Sequence, residues 1–424
     1  DDTDDTVGDD DDTDDTVGDD DDTVGDDDDT TDSDSSVGRP CADINGDCYA
    51  DVVLSNYWDG SNYDVYSYIY MGAATGYTNT ATALPTHGAM DNKVIDLNAD
   101  GYTDILFANE RDASGHAVDS YIYWGSAAGV SSSNYQGLPT VGARSIAVDD
   151  LDADGYLDIV YANAYDGSSY AVDSYIYWGS ATGHSVADRT LLPTVGASGC
   201  KISDLDNDGH LDIVFANSQD GPHYGIDSYI YWGSASGTYS VANRTDLPTQ
   251  GAMGVDVADL DHDGFPDLVF ANAIDGHSYA IDSYIYWGSA SGFSTADRTE
   301  LPTLGTWHVL ITDLNADGYS ELVFSNRFNA GFYTINSFIY WGSPTADYPV
   351  LTRTVLPTLG ARASSSHDLN DDGYMDLVFA NHRSSTAAVG INSFVYWGSS
   401  SGLTAGHQTG LPSNGAAGVS VARP

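Results

Sequence analysis

Residues 150–158 read DLDADGYLD. Asp150, Asp152 and Asp154 alternate, Gly155 permits a tight turn, and Asp158 returns a fourth carboxylate. The backbone carbonyl of Tyr156 can point into the same turn. Calcium takes roughly six to eight hard oxygen ligands, and this spacing wraps such oxygens around one point. The unit recurs seven times, from Asp43, Asp96, Asp150, Asp204, Asp259, Asp313 and Asp368, at steps of 53, 54, 54, 55, 54 and 55 residues.

The candidate ligands follow copy by copy. The first loop offers Asp43, Asn45, Asp47 and Asp51; the second offers Asp96, Asn98, Asp100, Asp104 and the carbonyl of Tyr102. The fourth offers Asp204, Asp206, Asp208, Asp212 and His210 through its backbone; the fifth, Asp259, Asp261, Asp263, Asp267 and Phe265. Asp313, Asn315, Asp317, Tyr319 and Glu321 form the sixth set, and Asp368, Asn370, Asp372, Tyr374 and Asp376 the seventh. The pattern matches the first half of an EF-hand loop, but the closing acid stands at position 9 and the flanks read as strands. The bland alternative is seven Asx-type turns without metal. Repulsion speaks against it, because 24 acidic side chains crowd the seven loops, and about seven Ca²⁺ would offset 14 of those charges. Loops with Asn at position 3 carry three acids instead of four and are expected to bind more weakly. The first loop has Cys48 where the others have glycine, and the sixth closes with the longer Glu321.

The elements that must hold these loops repeat with them. After each loop comes a short apolar run such as DIVFAN (212–217), then a polar turn, then SYIYWG as at 174–179. A weaker strand within RTxLPTxGA follows, and a last apolar run such as SIAV (145–148) leads into the next loop. Short runs of Val, Ile, Tyr and Phe bounded by Gly, Pro, Asp and Asn read as strands. Four strands per unit in seven units predict an all-β fold, a seven-bladed β-propeller of four-stranded blades. A linear β-solenoid is the runner-up. The strand at 417–422 stands where an eighth loop would begin, so it is expected to complete the blade begun by Asp43. The Trp recurring at 124, 178, 232, 287, 341 and 397 is expected to pack between blades rather than to form a sugar platform.

Repeats of the form DLDxDGxxDIVFAN resemble the FG-GAP/VCBS family, the calcium-binding propeller repeats of integrin α-subunits and many bacterial secreted proteins. The resemblance covers roughly residues 37–424. It implies a seven-bladed propeller with Ca²⁺ between the first and second strands of each blade, and extracellular adhesion or ligand binding. It leaves the ligand open.

The formal net charge is −51, and no basic residue precedes Arg39. Nucleic acid and anionic membrane surfaces are therefore excluded as expected partners, whereas cations and neutral sugars suit the chain. No apolar run is long enough to span a membrane. No secretory leader is visible, and Asp1 is an unusual first residue, so a leader removed from an extracellular or cell-surface protein is expected. Cys41 and Cys48 flank a short loop and are expected to form a disulfide; three reduced thiols are the alternative.

The eleven His are scattered, no H-E-x-x-H occurs, and no glycine-rich loop runs from a strand into a helix, so the chain is expected not to be an enzyme. The polar turns bring Asp166, Tyr170, Asp173, Asp220, Tyr224, Asp227, Asp275, Tyr279 and Asp282 to one rim, a candidate sugar-binding face or simply tight turns with aromatic lids. RFNAGFYTIN (327–336) and HRSSTAAVGIN (382–392) depart from the repeat and read as drift or an asymmetric contact patch.

Residues 1–36 are different. Twenty Asp fall in the first 34 positions, with no aromatic residue and a ten-residue repeat, DDTDDTVGDD. Such a segment cannot bury enough apolar surface to offset its ordering entropy. Thr3, Thr6, Thr13, Thr16, Thr23, Thr30 and Thr31 are candidate O-glycan sites. Extended, the segment spans about 120 Å. It is expected to link subunits of an extracellular fibre or coat, head to tail. The rival expectation is a flexible stalk for a surface-tethered, carbohydrate-binding adhesin.

Overall fold

The structure is a computed structural model that describes residues 43–385 and 388–422. Seven four-stranded antiparallel sheets form the expected seven-bladed β-propeller. The acidic segment 1–36, its Thr residues and Cys41 lie outside the described residues.

One blade shows how the sequence dictates the sheet. Its strands are Ala143–Asp149, Asp158–Asn163, Ala171–Tyr177 and Arg189–Val195, hydrogen-bonded in that order. The second strand, DIVYAN, is buried along its whole length, as are its six counterparts. A strand covered on both faces must read as a continuous apolar run, and this one does. The third strand of the first two blades alternates exposed and buried residues until it reaches Ile-Tyr. Among the described residues, the only helical pieces are two three-residue 3-10 turns.

The innermost strands contact one another in a closed cycle around the axis. Ala416–Ala422 belongs to that cycle and pairs antiparallel with Asp51–Asn56, so one blade is built from both ends of the described chain. Seven apolar clusters fill the seven interfaces, each drawn from two neighbouring blades. The core is thus a ring of seams.

Each seam carries one latch. Tyr123, Tyr177, Tyr231, Tyr286 and Tyr340 donate their hydroxyls, at 2.5–2.6 Å, to the carbonyls of Pro85, Pro139, Pro193, Pro248 and Pro302 in the preceding blade. Tyr396 does the same to Pro357, and Tyr70 to Pro412 across the junction of the two chain ends. The recurring Trp sits half-buried. Trp178, Trp232, Trp287, Trp341 and Trp397 donate Nε1–H to a Thr hydroxyl of the outer strand at 2.9–3.0 Å. Their rings pack on the seam clusters, as Trp178 does.

Candidate metal centres

Six of the acidic loops run from the last residue of an inner strand to a second strand, and the first leads into Asp51–Asn56, whose inner partner is Ala416–Ala422, so the seven loops share one face of the ring. Within a loop, backbone amides hold the carboxylates. Asp150 accepts from the amides of Asp154 at 3.0 Å and Gly155 at 2.9 Å; Asp152 accepts from Asp154 at 3.2 Å, and Asp154 from Tyr156 at 2.9 Å. The fourth and fifth loops repeat this pattern with Asp204, Asp206, Asp208, Asp259, Asp261 and Asp263. With Asn in place of Asp at position 3, so do the loops at Asp96, Asp313 and Asp368.

Two residues per loop take a left-handed backbone. Position 6 is glycine in six loops, with φ between 85° and 93°. Position 4 is left-handed too, and there the chain uses Ala99, Ala153, Asn207, His262, Ala316 and Asp371 at φ of 56–59°. For a residue with a Cβ this costs about 1 kcal/mol or more. The first loop exchanges the two, with Gly46 at position 4 and Cys48, at φ 67°, at position 6. Its hydrogen bonds shift accordingly, and Asp43 accepts from the amides of Gly46 and Cys48. Cys48 is disulfide-bonded and Cys200 is a free, buried thiol; Cys41 lies outside the described residues.

The acid at position 9 has a second duty that its spacing did not reveal. Asp158 is buried, and both its oxygens accept backbone amides: Leu151 at 2.8 Å inside the loop and Gly179 at 2.6 Å after the third strand. Asp51, Asp104, Asp212, Asp267 and Asp376 make the same pair of bonds. Glu321 reaches the same partners, but Gly342 only at 3.3 Å. The clamp requires glycine at its far end, since a Cβ on Gly179 would stand 2.4 Å from the carbonyl of Leu157. The signal available in the sequence was the near-constant interval between the closing acid and that glycine, 21 residues in six blades and 22 in the seventh.

Burial, and then the neighbouring carboxylates, raise these acids against the opposing pull of their amide bonds. Asp51, Asp158, Asp267 and Glu321 are pushed up to about 7, and Asp104, Asp212 and Asp376 to about 6. Desolvation and the adjacent Asp154 and Asp208 also raise Asp152 and Asp206. In three loops the acids converge so that ligand oxygens lie within 4.8 Å of one another: Asp150, Asp152 and Asp158; Asp204, Asp206 and Asp212; Asp259, Asp261 and Asp263. These are the loops with four acids. Each carboxylate oxygen keeps a lone pair beyond its amide bond, so the donor set fits a hard divalent cation.

The rim residues are placed otherwise. Asp166 accepts the amides of Ser168 and Ser169, both at 2.7 Å, and Asp275 those of His277 and Ser278 at 2.8 and 2.7 Å, so each closes its own turn. Asp220 pairs with His223 through the backbone. Asp173, Asp227 and Asp282 accept, through their carbonyls, the side-chain amides of Asn163, Asn217 and Asn272. Tyr170 packs on Tyr165 at 4.5 Å and Tyr279 on Phe328 at 4.7 Å, while Tyr224 lies over Gly276.

Comparison with known proteins agrees with this architecture. Residues 96–161, 150–215 and 204–270 match a model of the FG-GAP-like repeat. A mouse thrombospondin-type laminin G domain and EAR repeat-containing protein is 26% identical over 252 residues. The match covers 57% of this chain and 35% of that protein, so the chain spans about a third of that relative's length. Among solved structures, a Lactobacillus plantarum protein aligns with TM-score 0.56 at 14% identity. A putative 6-phosphogluconolactonase from Bacteroides uniformis and the periplasmic gluconolactonase of Pseudomonas aeruginosa each align at 0.54, with 12% and 13% identity. Each alignment covers 88% of this chain and 99% of the other. These likenesses are of fold.

They correct one expectation. Two of the neighbours are named as lactonases, so the propeller is a scaffold on which other chains carry catalysis, and the reading of this chain as a non-enzyme does not stand. It rested on absent short motifs. One serine motif is in fact present: residues 398–402 read GSSSG, the spacing G-x-S-x-G, in the turn after the strand Gly390–Tyr396. That turn leads to another strand, whereas a nucleophile elbow leads into a helix.

Proposed function

We propose that this chain of FG-GAP-like repeats is a calcium-loaded propeller that works outside the cell as a repeated structural unit of a fibre or surface coat, with residues 1–36 linking one copy to the next. The observation that carries the reading is the equivalence of the seven acidic loops. Each offers the same positions to a cation, and six of them tie the end of an inner strand to the start of the second. Ions set in every blade stiffen the whole ring, which is what a load-bearing unit needs. Loops with only three acids suit the high calcium found outside cells.

The ligands would be the side chains at positions 1, 3 and 5, the backbone at position 7 and the acid at position 9. Calcium would supply charge neutralisation there. The chain's own part is to present the carboxylates on backbone amides and to hold the loop shut through the buried clamp. Among the described residues no helix is long and apolar enough to cross a membrane.

Electron microscopy tests the connector. In millimolar Ca²⁺ the full chain should form fibres, and a chain beginning at Val37 should give single rings. Single rings from both would overturn the reading.

A further inference from the structure

The opposite mouth of the ring has another chemistry, which the calcium reading does not use. The chain has 13 Lys and Arg against 64 acids. Both lysines, Lys93 and Lys201, and also Arg144 and Arg362, line a cavity of about 180 Å³ between the inner strands. Arg362 is the second residue of the inner strand Ala361–His367, whereas the acidic loop follows the far end of that strand. Trp307 of the neighbouring inner strand also lines the cavity, and the guanidinium carbons of Arg362 and Arg327 each lie 4.2 Å from its ring centre. Arg383 stands over Tyr333 at 5.3 Å and donates to the Nε2 of the fully buried His382 at 2.8 Å.

Three arginines therefore gather around Trp307 and Tyr333, Arg362 among them lining the cavity, and none has a carboxylate of its own among the described residues. Two acids stand near: Asp91 lines the cavity and accepts the amide of Ile146 at 3.0 Å, and Glu110 is taken by Arg144 at 2.7 Å and by the Tyr57 hydroxyl. Arg362 is only 6% exposed. Its Nη1 donates to the weak acceptor Sδ of Met90 at 3.3 Å, and its Nε has no acceptor. The Nε atoms of Arg327 and Arg383 are buried and unpaired as well. A buried charge without a partner is costly, and an apolar side chain would fill the space more cheaply. In a chain so rich in Asp, the missing counter-ion is a feature of this place.

The arrangement is also confined to part of the ring, although Arg144 stands second in its inner strand as Arg362 does. The residue after the second strand is small in three successive blades, at Ala164, Ser218 and Ala273, and large or charged in the other four, at Tyr57, Glu110, Arg327 and His382. Sevenfold drift would scatter such changes; here the arginines gather around Trp307 and Tyr333.

We propose that this axial cavity binds a carboxylate-bearing anion, held by the unpaired guanidinium edge of Arg362, with Arg327, which also contacts Trp307, adding positive charge behind it. A planar guanidinium fork matches a carboxylate, and the same mouth already holds one, Glu110, on Arg144. The carboxylate can belong to a free sugar acid or to an Asp side chain of an acidic segment. The inference does not depend on the calcium reading.

Titration calorimetry of the full chain in calcium and low salt tests it, with sodium glucuronate, the peptide DDTDDTVGDD, sodium phosphate and methyl glucoside as probes. Glucuronate or the peptide should bind, methyl glucoside should not, and Arg362→Gln or Arg327→Gln should weaken binding at least about tenfold. Binding of glucuronate alone assigns the site to a free acid; binding of the peptide alone assigns it to a chain segment. Silence from both, tighter binding of phosphate than of either, or affinities unchanged in both variants would overturn the proposal. Arg362→Met keeps the apolar stem and should raise the melting temperature of the ligand-free chain. A lowered melting temperature would show that the guanidinium serves the fold instead.

Discussion

The two ends of the inner strands differ in kind. At one end, six loops repeat one geometry, the first varies it, and all seven carry one sign of charge; at the other, a few blades depart from the repeat and gather arginines around Trp307 and Tyr333. Repetition puts the same demand on every blade, and a demand made by every blade concerns the ring as a whole. Asp158 and its counterparts meet it, each tying a loop to the glycine after the third strand. Departure serves one place only. Arg327, Arg362 and Arg383 come from two blades and an adjoining turn, and their convergence does nothing for the other five seams.

The largest effect expected from breaking the contrast is removal of divalent ions. Chelation should lower the melting temperature by about 10 °C or more, because seven sites each add linked stability. Differential scanning calorimetry in calcium and in EDTA measures it. Next, Asp158→Ala removes two amide acceptors and a ligand together. Unfolding in denaturant should show a loss of about 3 kcal/mol, against a much smaller loss for a rim acid such as Asp166.

Acidity sharpens the comparison. Asp51, Asp158, Asp267 and Glu321 titrate near 7 in the metal-free fold, well above ordinary carboxyl values of 3.8 for Asp and 4.5 for Glu. The fold binds their protons more tightly than the unfolded chain does. The stability these acids add to the metal-free chain should therefore be full below about pH 4 and be lost as pH rises toward 7. Calcium should reverse that slope, since it needs the ionised form. Melting temperatures across pH 4–8, with and without calcium, read the sign directly.

Smaller effects follow at the seams and in the weaker loops. Tyr286→Phe removes one latch to Pro248 and should cost about 1 kcal/mol in equilibrium unfolding. Asn98→Asp gives the second loop a fourth acid and should tighten its calcium binding a few-fold, visible as one site shifting in a calcium titration.

What was legible follows the same division. A motif repeated at near-constant steps exposes the blades, the loops and their candidate ligands, because each copy vouches for the others. The double role of Asp158 was hidden, since its partner glycine lies beyond another strand. The left-handed backbone at Ala99 and Ala153 was hidden as well, because alanine carries no sign of it. The arginine cluster lay furthest from view. RFNAGFYTIN and HRSSTAAVGIN stood out as irregular, but only ring closure brings Arg327 and Arg383 beside Arg362 and Trp307.

The central claim is that every loop holds an ion. Its most direct test is the number of calcium ions bound per chain, by equilibrium titration of the full, chelator-stripped protein. The account predicts about seven, with loops of four acids filling before loops of three. One ion or none at millimolar calcium would contradict it.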